Sequence, residues 1–155
     1  MCPVELQNSG YTGDTMRITL DTSVLVAAAR SRNVASFKLV SMLPTPEIEI
    51  ALTVPLYTEW QAVMTRPENL PPGATVEDAR AFLRYLASIA HLQEVHFLWR
   101  PFSRDPDDDM IVECAVSSGC EYIVTHNAKD FRRVEELNVQ VIAPADLLNL
   151  LRGKP

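Results

Sequence analysis

The chain has 155 residues, 47% hydrophobic and 7% aromatic, which is enough for one buried core and too little for two ordinary domains. Its formal charge of −6 argues against a protein that holds nucleic acid by bulk positive charge alone, although a local basic patch is still allowed. No apolar run approaches the ~18 residues of a membrane span, and the opening MCPVELQNSGYTGDT lacks a basic segment followed by an apolar one, so a cytoplasmic location is expected. Cys2, Cys114 and Cys120 form no CxxC or dense pattern and read as reduced thiols.

Aliphatic residues outweigh aromatic ones, which favours helices packed on a buried sheet. Residues 1–15 are polar, turn-rich and aperiodic, and read as a flexible arm before a single domain over 16–152. Arg17 to Leu20 reads as a strand ending at Asp21, followed by the helical SVLVAAARS, which Thr22 or Ser23 can cap. Ala35 to Leu43 reads as a second helix closed by Pro44 and Pro46, Ile48 to Leu52 as a strand, and Val54 to Met64 as a helix with proline near its start. After the loop RPENLPPG, Thr75 and Asp78 have capping-box spacing ahead of the long helix VEDARAFLRYLASIAHL. Val95 to Trp99 is the expected third strand, residues 105–109 an acidic turn, and Met110 to Ser118 a helix ended by Gly119. The β-branched runs YIVT (122–125) and VQVI (139–142) read as buried parallel strands, with a last helix from Ala145 to Leu151. Alternating strands and helices predict a parallel sheet with crossovers, whose ligands gather beyond the carboxyl ends of the strands.

On this map the acids form a pattern. Asp21 ends the first strand, Asp105 to Asp109 follow the third, Asp130 follows the fourth, and Glu59 interrupts an apolar helix directly after the second. Each has an ordinary explanation alone: a helix cap, a solvated helix residue, a partner for a helix N-terminus, a turn residue. Together they would gather like charge at one sheet edge, which is tolerable only with positive charge among them. Oxygen-only ligands without a His or Cys cluster favour Mg²⁺ or Mn²⁺. Paired ions of that kind activate water against a phosphodiester.

The ordered series LDTSVLVAAA, YTEW, DPDDDMIVECAVSSGCEYIVTHNAKDF and VIAPADLL resembles the PIN domain family, especially its small prokaryotic toxin ribonucleases, over about residues 16–148. The resemblance implies a three-layer α/β/α sandwich around a parallel sheet, with Mg²⁺- or Mn²⁺-dependent endonucleolytic cleavage of single-stranded RNA. It also implies a homodimer and a small antitoxin partner. It assigns Asp21, Glu59, Asp108 and Asp130 as catalytic metal ligands, with Thr22 or Ser23 as the small polar residue after the first acid and Asp105 in support. At the fourth corner many members place an acid two residues after IVT; here Asn127 stands there, and Asn127 and Asp130 share the position.

Thr125 can position a phosphate or a metal-bound water, and His126 can assist proton transfer. Trp60 can stack a base, though a Trp on a helix more often packs in a core. Lys129, Arg132 and Arg133 follow the fourth strand and are the nearest basic residues for an RNA backbone, with Arg30, Arg32, Arg66, Arg100 and Arg104 more dispersed. Two other readings stand beside the ribonuclease. One is a PIN-fold binding module with weak or lost chemistry, for which Asn127 is the hint. The other is a phosphohydrolase with Asp21 as covalent nucleophile, weakened because Ser23 replaces the second aspartate of the haloacid dehalogenase DxDx[TV] motif.

Overall fold

The structure is a computed structural model and describes residues 15–95 and 106–153, without the side chains of Pro106, Asp107 and Arg132. Five strands, β1 (Met16–Leu20), β2 (Ile48–Leu52), β3 (His91–Leu92), β4 (Tyr122–Val124) and β5 (Gln140–Ile142), make one parallel sheet in the order β3-β2-β1-β4-β5. The register pairs Ile18 with both Ile50 and Tyr122, and Val124 with both Leu20 and Ile142. β1 and β2 are buried along almost their whole length, as expected of parallel strands covered on both faces.

The helices are α1 (Thr22–Arg30), α2 (Ala35–Ser41), α3 (Val54–Met64), α4 (Val76–Ile89), α5 (Pro106–Ser117) and α6 (Pro144–Arg152). From β1 to β3 the chain steps one way across the sheet, and from β4 to β5 it steps the other way, so right-handed crossovers lay the connecting helices on opposite faces. The result is the expected three-layer α/β/α sandwich. α5 packs on β1, β2 and β4 and against α3. None of the described helices is long and apolar enough to cross a membrane.

Local chemistry sets most boundaries. Thr53 caps α3 by accepting from the Leu56 N–H, with Pro55 in the first turn. Thr75 and Asp78 form the reciprocal capping box of α4. Gly119 closes α5 at φ +67°, with the Cys120 N–H reaching back to Ala115 O.

Several sequence expectations are corrected. Neither Thr22 nor Ser23 caps α1: Asp21 holds the cap position, and its side chain makes no cap hydrogen bond. The long helix stops at Ile89, and His91 and Leu92, expected to continue it, instead form β3 against Ala51 and Leu52. Of the strand expected over Val95 to Trp99, residues 96–99 lie outside the described residues, and Val95 is in no regular element. α5 begins at Pro106 rather than Met110, so the acidic stretch is the first turn of the helix instead of a turn before it; proline and acidic side chains both suit a helix N-terminus. A 3-10 helix, Ala128–Leu137, occupies a segment for which no element was expected. The expected arm lies outside the described residues except for Thr15.

Trp60 is fully buried in the core, so it is not available to stack a base. Among the described residues its Nε1 has no hydrogen-bond partner. Truncation by Trp60→Ala should cost about 3–5 kcal/mol in urea unfolding. Trp60→Phe should cost much less, about 1 kcal/mol, because losing a partnerless buried N–H offsets part of the lost packing.

Cys114 and Cys120 are both buried and lie 3.8 and 3.2 Å from Thr19 Oγ1 on β1. Burial pushes the Cys114 thiol up to about 11 and the Cys120 thiol to about 12, from an ordinary 9.0. The folded state therefore holds these protons more tightly than the unfolded chain does. Their contribution to stability is complete below pH 9 and is lost as pH rises from there through about 11 to 12. Iodoacetamide at neutral pH should leave both thiols unmodified in the folded protein and alkylate both in urea, as read by peptide mass.

Candidate functional site

The sheet reverses its winding between β1 and β4, the place where an open parallel sheet forms a crevice at its carboxyl edge. Asp21 leaves β1 there, its N–H bonded to Val124 O, and Thr125 leaves β4 beside it, its N–H bonded to Ile142 O. The side chains meet across that seam. Thr125 Oγ1 donates to Asp21 Oδ2 at 2.6 Å, and Ser23 Oγ donates to the same oxygen at 2.8 Å.

Each of these hydroxyls in turn accepts a backbone N–H from the segment after β4: Asn127 N–H reaches Thr125 Oγ1 at 2.9 Å, and His126 N–H reaches Ser23 Oγ at 3.3 Å. Two consecutive peptide groups are thereby relayed through two hydroxyls onto one carboxylate oxygen. Asp21 is only 7% exposed, and among the described residues no cation pairs with it and no donor reaches its Oδ1. A carboxylate in this position costs several kcal/mol to bury. Two charge-assisted hydrogen bonds, roughly 1.5–3 kcal/mol each, together with the N-terminus of α1, offset most of that cost.

Topology starts the elements that carry the other expected acids at the same edge. A helix that follows or precedes a parallel strand runs antiparallel to it, so the starts of α3 and α5 lie where Asp21 does. Glu59 is on α3, one and a half turns past its start, and is partly buried; Asp108 is in the first turn of α5 and is also partly buried. Asp130 is exposed in the 3-10 helix after β4, its N–H bonded to Asn127 O. Thr22 is buried as the first residue of α1. The hydrogen bonds thus bring together Asp21, Ser23, Thr125 and the backbone of Asn127. Among the described residues no three His, Cys, Asp or Glu side chains are grouped so as to hold an ion. Asp105 lies outside the described residues, as do Arg100 and Arg104. Lys129 and Arg133 are exposed, and Arg133 Nε lies 3.5 Å from Glu136 Oε2.

Two acids that the sequence reading did not propose as ligands are more deeply buried than Asp108. Asp109 is 8% exposed and Glu113, one turn later on α5, is 4% exposed. Glu113 breaks the apolar run IVECA, a visible signal used only to fix the spacing. Ser36 on α2 was missed too: its hydroxyl lies 2.7 Å from His126 Nε2, and nothing local in ASFKLVS marks it.

The PIN domain sequence profile matches residues 17–129, well over half the chain. The chain belongs to the PIN domain family. Two solved structures share the fold. One is VapBC2 from Rickettsia felis bound to a DNA fragment from their promoter, 17% identical over 83% of this chain and 98% of that one, with a TM-score of 0.58. The other is VapBC-1 from nontypeable Haemophilus influenzae, 15% identical over 84% and 99% of the two chains, with a TM-score of 0.55. Comparison with curated proteins gives no match. Family membership displaces the phosphohydrolase reading of Asp21.

Thr125→Val keeps the shape and removes the hydroxyl, leaving a buried carboxylate short of one donor and the Asn127 N–H without its acceptor. It should lower unfolding stability by about 2–3 kcal/mol in urea titration, whereas Thr125→Ser should cost under about 1 kcal/mol.

Proposed function

We propose that this chain is a Mg²⁺- or Mn²⁺-dependent endoribonuclease of single-stranded RNA, acting in the cytoplasm as the toxin of a toxin–antitoxin pair. The observation that supports it most is the clamped carboxylate at the winding reversal: Oδ2 of Asp21 is held by two hydroxyls while Oδ1 accepts nothing among the described residues. A carboxylate oriented through one oxygen and open at the other suits a ligand for a hard cation. Mg²⁺ takes few protein carboxylates and fills its shell with water and substrate phosphate. The reading therefore does not need three acids already grouped without a cation between them.

In this reading Asp21 is the central ligand, with Glu59, Asp108 and Asp130 approaching from α3, α5 and the 3-10 helix. When bound, the cation would supply a nucleophilic water and neutralise charge building on the phosphodiester. Ser23 and Thr125 fix the Asp21 carboxylate, and the peptide groups of His126 and Asn127 keep those hydroxyls turned toward it. Lys129, Arg132 and Arg133 lie along the segment where a polyanionic strand would leave the site. Homodimerisation and a small antitoxin partner come from the family resemblance. The likeness to VapBC2 and VapBC-1 supports the antitoxin partner.

The purified chain should cleave a single-stranded RNA in Mg²⁺ or Mn²⁺ and stop in EDTA. Asp21→Asn, which keeps the hydrogen-bond acceptor, should reduce cleavage at least ~100-fold with little change in unfolding stability. Cleavage that survives EDTA, or that Asp21→Asn leaves intact, would overturn the proposal. Asn127 in place of an acid favours one other reading, a PIN-fold module that binds RNA without cutting it. Metal-independent binding with no cleavage in either ion would select that reading.

A further inference from the structure

Ser36 is fully buried, yet among the described residues its hydroxyl has a single partner, which belongs to an exposed residue: Oγ lies 2.7 Å from Nε2 of His126. Ser36 is the second residue of α2, so no helical carbonyl lies one turn back to receive its hydroxyl, and the imidazole satisfies it instead. His126 is also held at its other end, where its backbone N–H reaches the Ser23 hydroxyl that donates to Asp21. The residue is thus tethered at two points, its ring by Ser36 and its backbone by Ser23, one hydroxyl removed from the Asp21 carboxylate. Nδ1 has no partner among the described residues. When the serine hydroxyl donates to Nε2, the neutral ring carries its proton on Nδ1 and presents it as a donor.

We infer that His126 is a substrate contact: its Nδ1–H donates to a phosphate oxygen of single-stranded RNA beside the Asp21 site, and Ser36 is a positioning residue that fixes the ring and its tautomer. The inference rests on the nuclease reading above for the identity of the ligand. Phosphate is the favoured acceptor because the chain directly after His126 carries Lys129 and Arg133, both exposed, along the path a backbone would follow. A contact to phosphate positions the strand without reading its sequence, so it should act alike on RNAs of different composition.

The test is fluorescence anisotropy with a labelled single-stranded RNA of mixed sequence, in Mg²⁺, on the Asp21→Asn protein so that nothing is cut. Adding His126→Ala should weaken binding about tenfold, and Ser36→Ala about threefold. In the cleaving enzyme His126→Ala should raise KM while leaving kcat within about threefold, a split that marks lost binding shared by ground and transition states. Imidazole nitrogen NMR should show the Nδ1–H tautomer at His126, shifting toward a mixture in Ser36→Ala. Affinity within twofold after His126→Ala overturns the inference, even where EDTA-sensitive, Asp21-dependent cleavage upholds the nuclease reading. If the chain binds RNA without cutting it, the nuclease reading falls and the affinities still decide the contact. If neither the Asp21→Asn protein nor the unmutated chain binds RNA, both fall.

Discussion

Everything at the carboxyl edge depends on the reversal of the sheet between β1 and β4. Because the chain winds outward in both directions from that seam, residues 21 and 125 come side by side although 104 positions separate them. Side chains from the two strand ends satisfy each other there. A buried carboxylate, two hydroxyls and two peptide N–H groups do so, with Oδ1 of Asp21 left open among the described residues.

That set gives most of its hydrogen-bonding to one oxygen of one acid. The geometry sets Asp21 apart from Glu59, Asp108 and Asp130, which are partly buried or exposed. In the proposed reading, a fixed first acid beside less enclosed ones fits a site completed by water and phosphate better than a preformed cage. Lys129 and Arg133, in the segment after β4, are exposed, as are Arg30, Arg66 and Arg84 elsewhere.

Much of the fold was legible in the sequence where local chemistry punctuates it. β2 and α3 match their expected bounds because Thr53 and Pro55 mark the junction, and the capping box of α4 was readable from Thr75 and Asp78. β3 was not legible, since its two residues continue a helical composition and become a strand only by pairing with Ala51 and Leu52. The 3-10 helix after β4 was missed because KDFRRVEEL is mostly charged; only Phe131 and Val134, three apart and buried, betray it. At the site, Asp21, Ser23, Thr125 and Asn127 all carried sequence signals. Ser36 did not, because its role exists only through a contact made 90 residues away.

The two relays onto Asp21 begin at the main chain of residues 126 and 127, and the side chains of those residues take no part in them. Orientation of the first acid is therefore decoupled from the identity of the fourth corner. A lineage can exchange amide for carboxylate at position 127, altering the local charge, without re-aiming the acid at position 21.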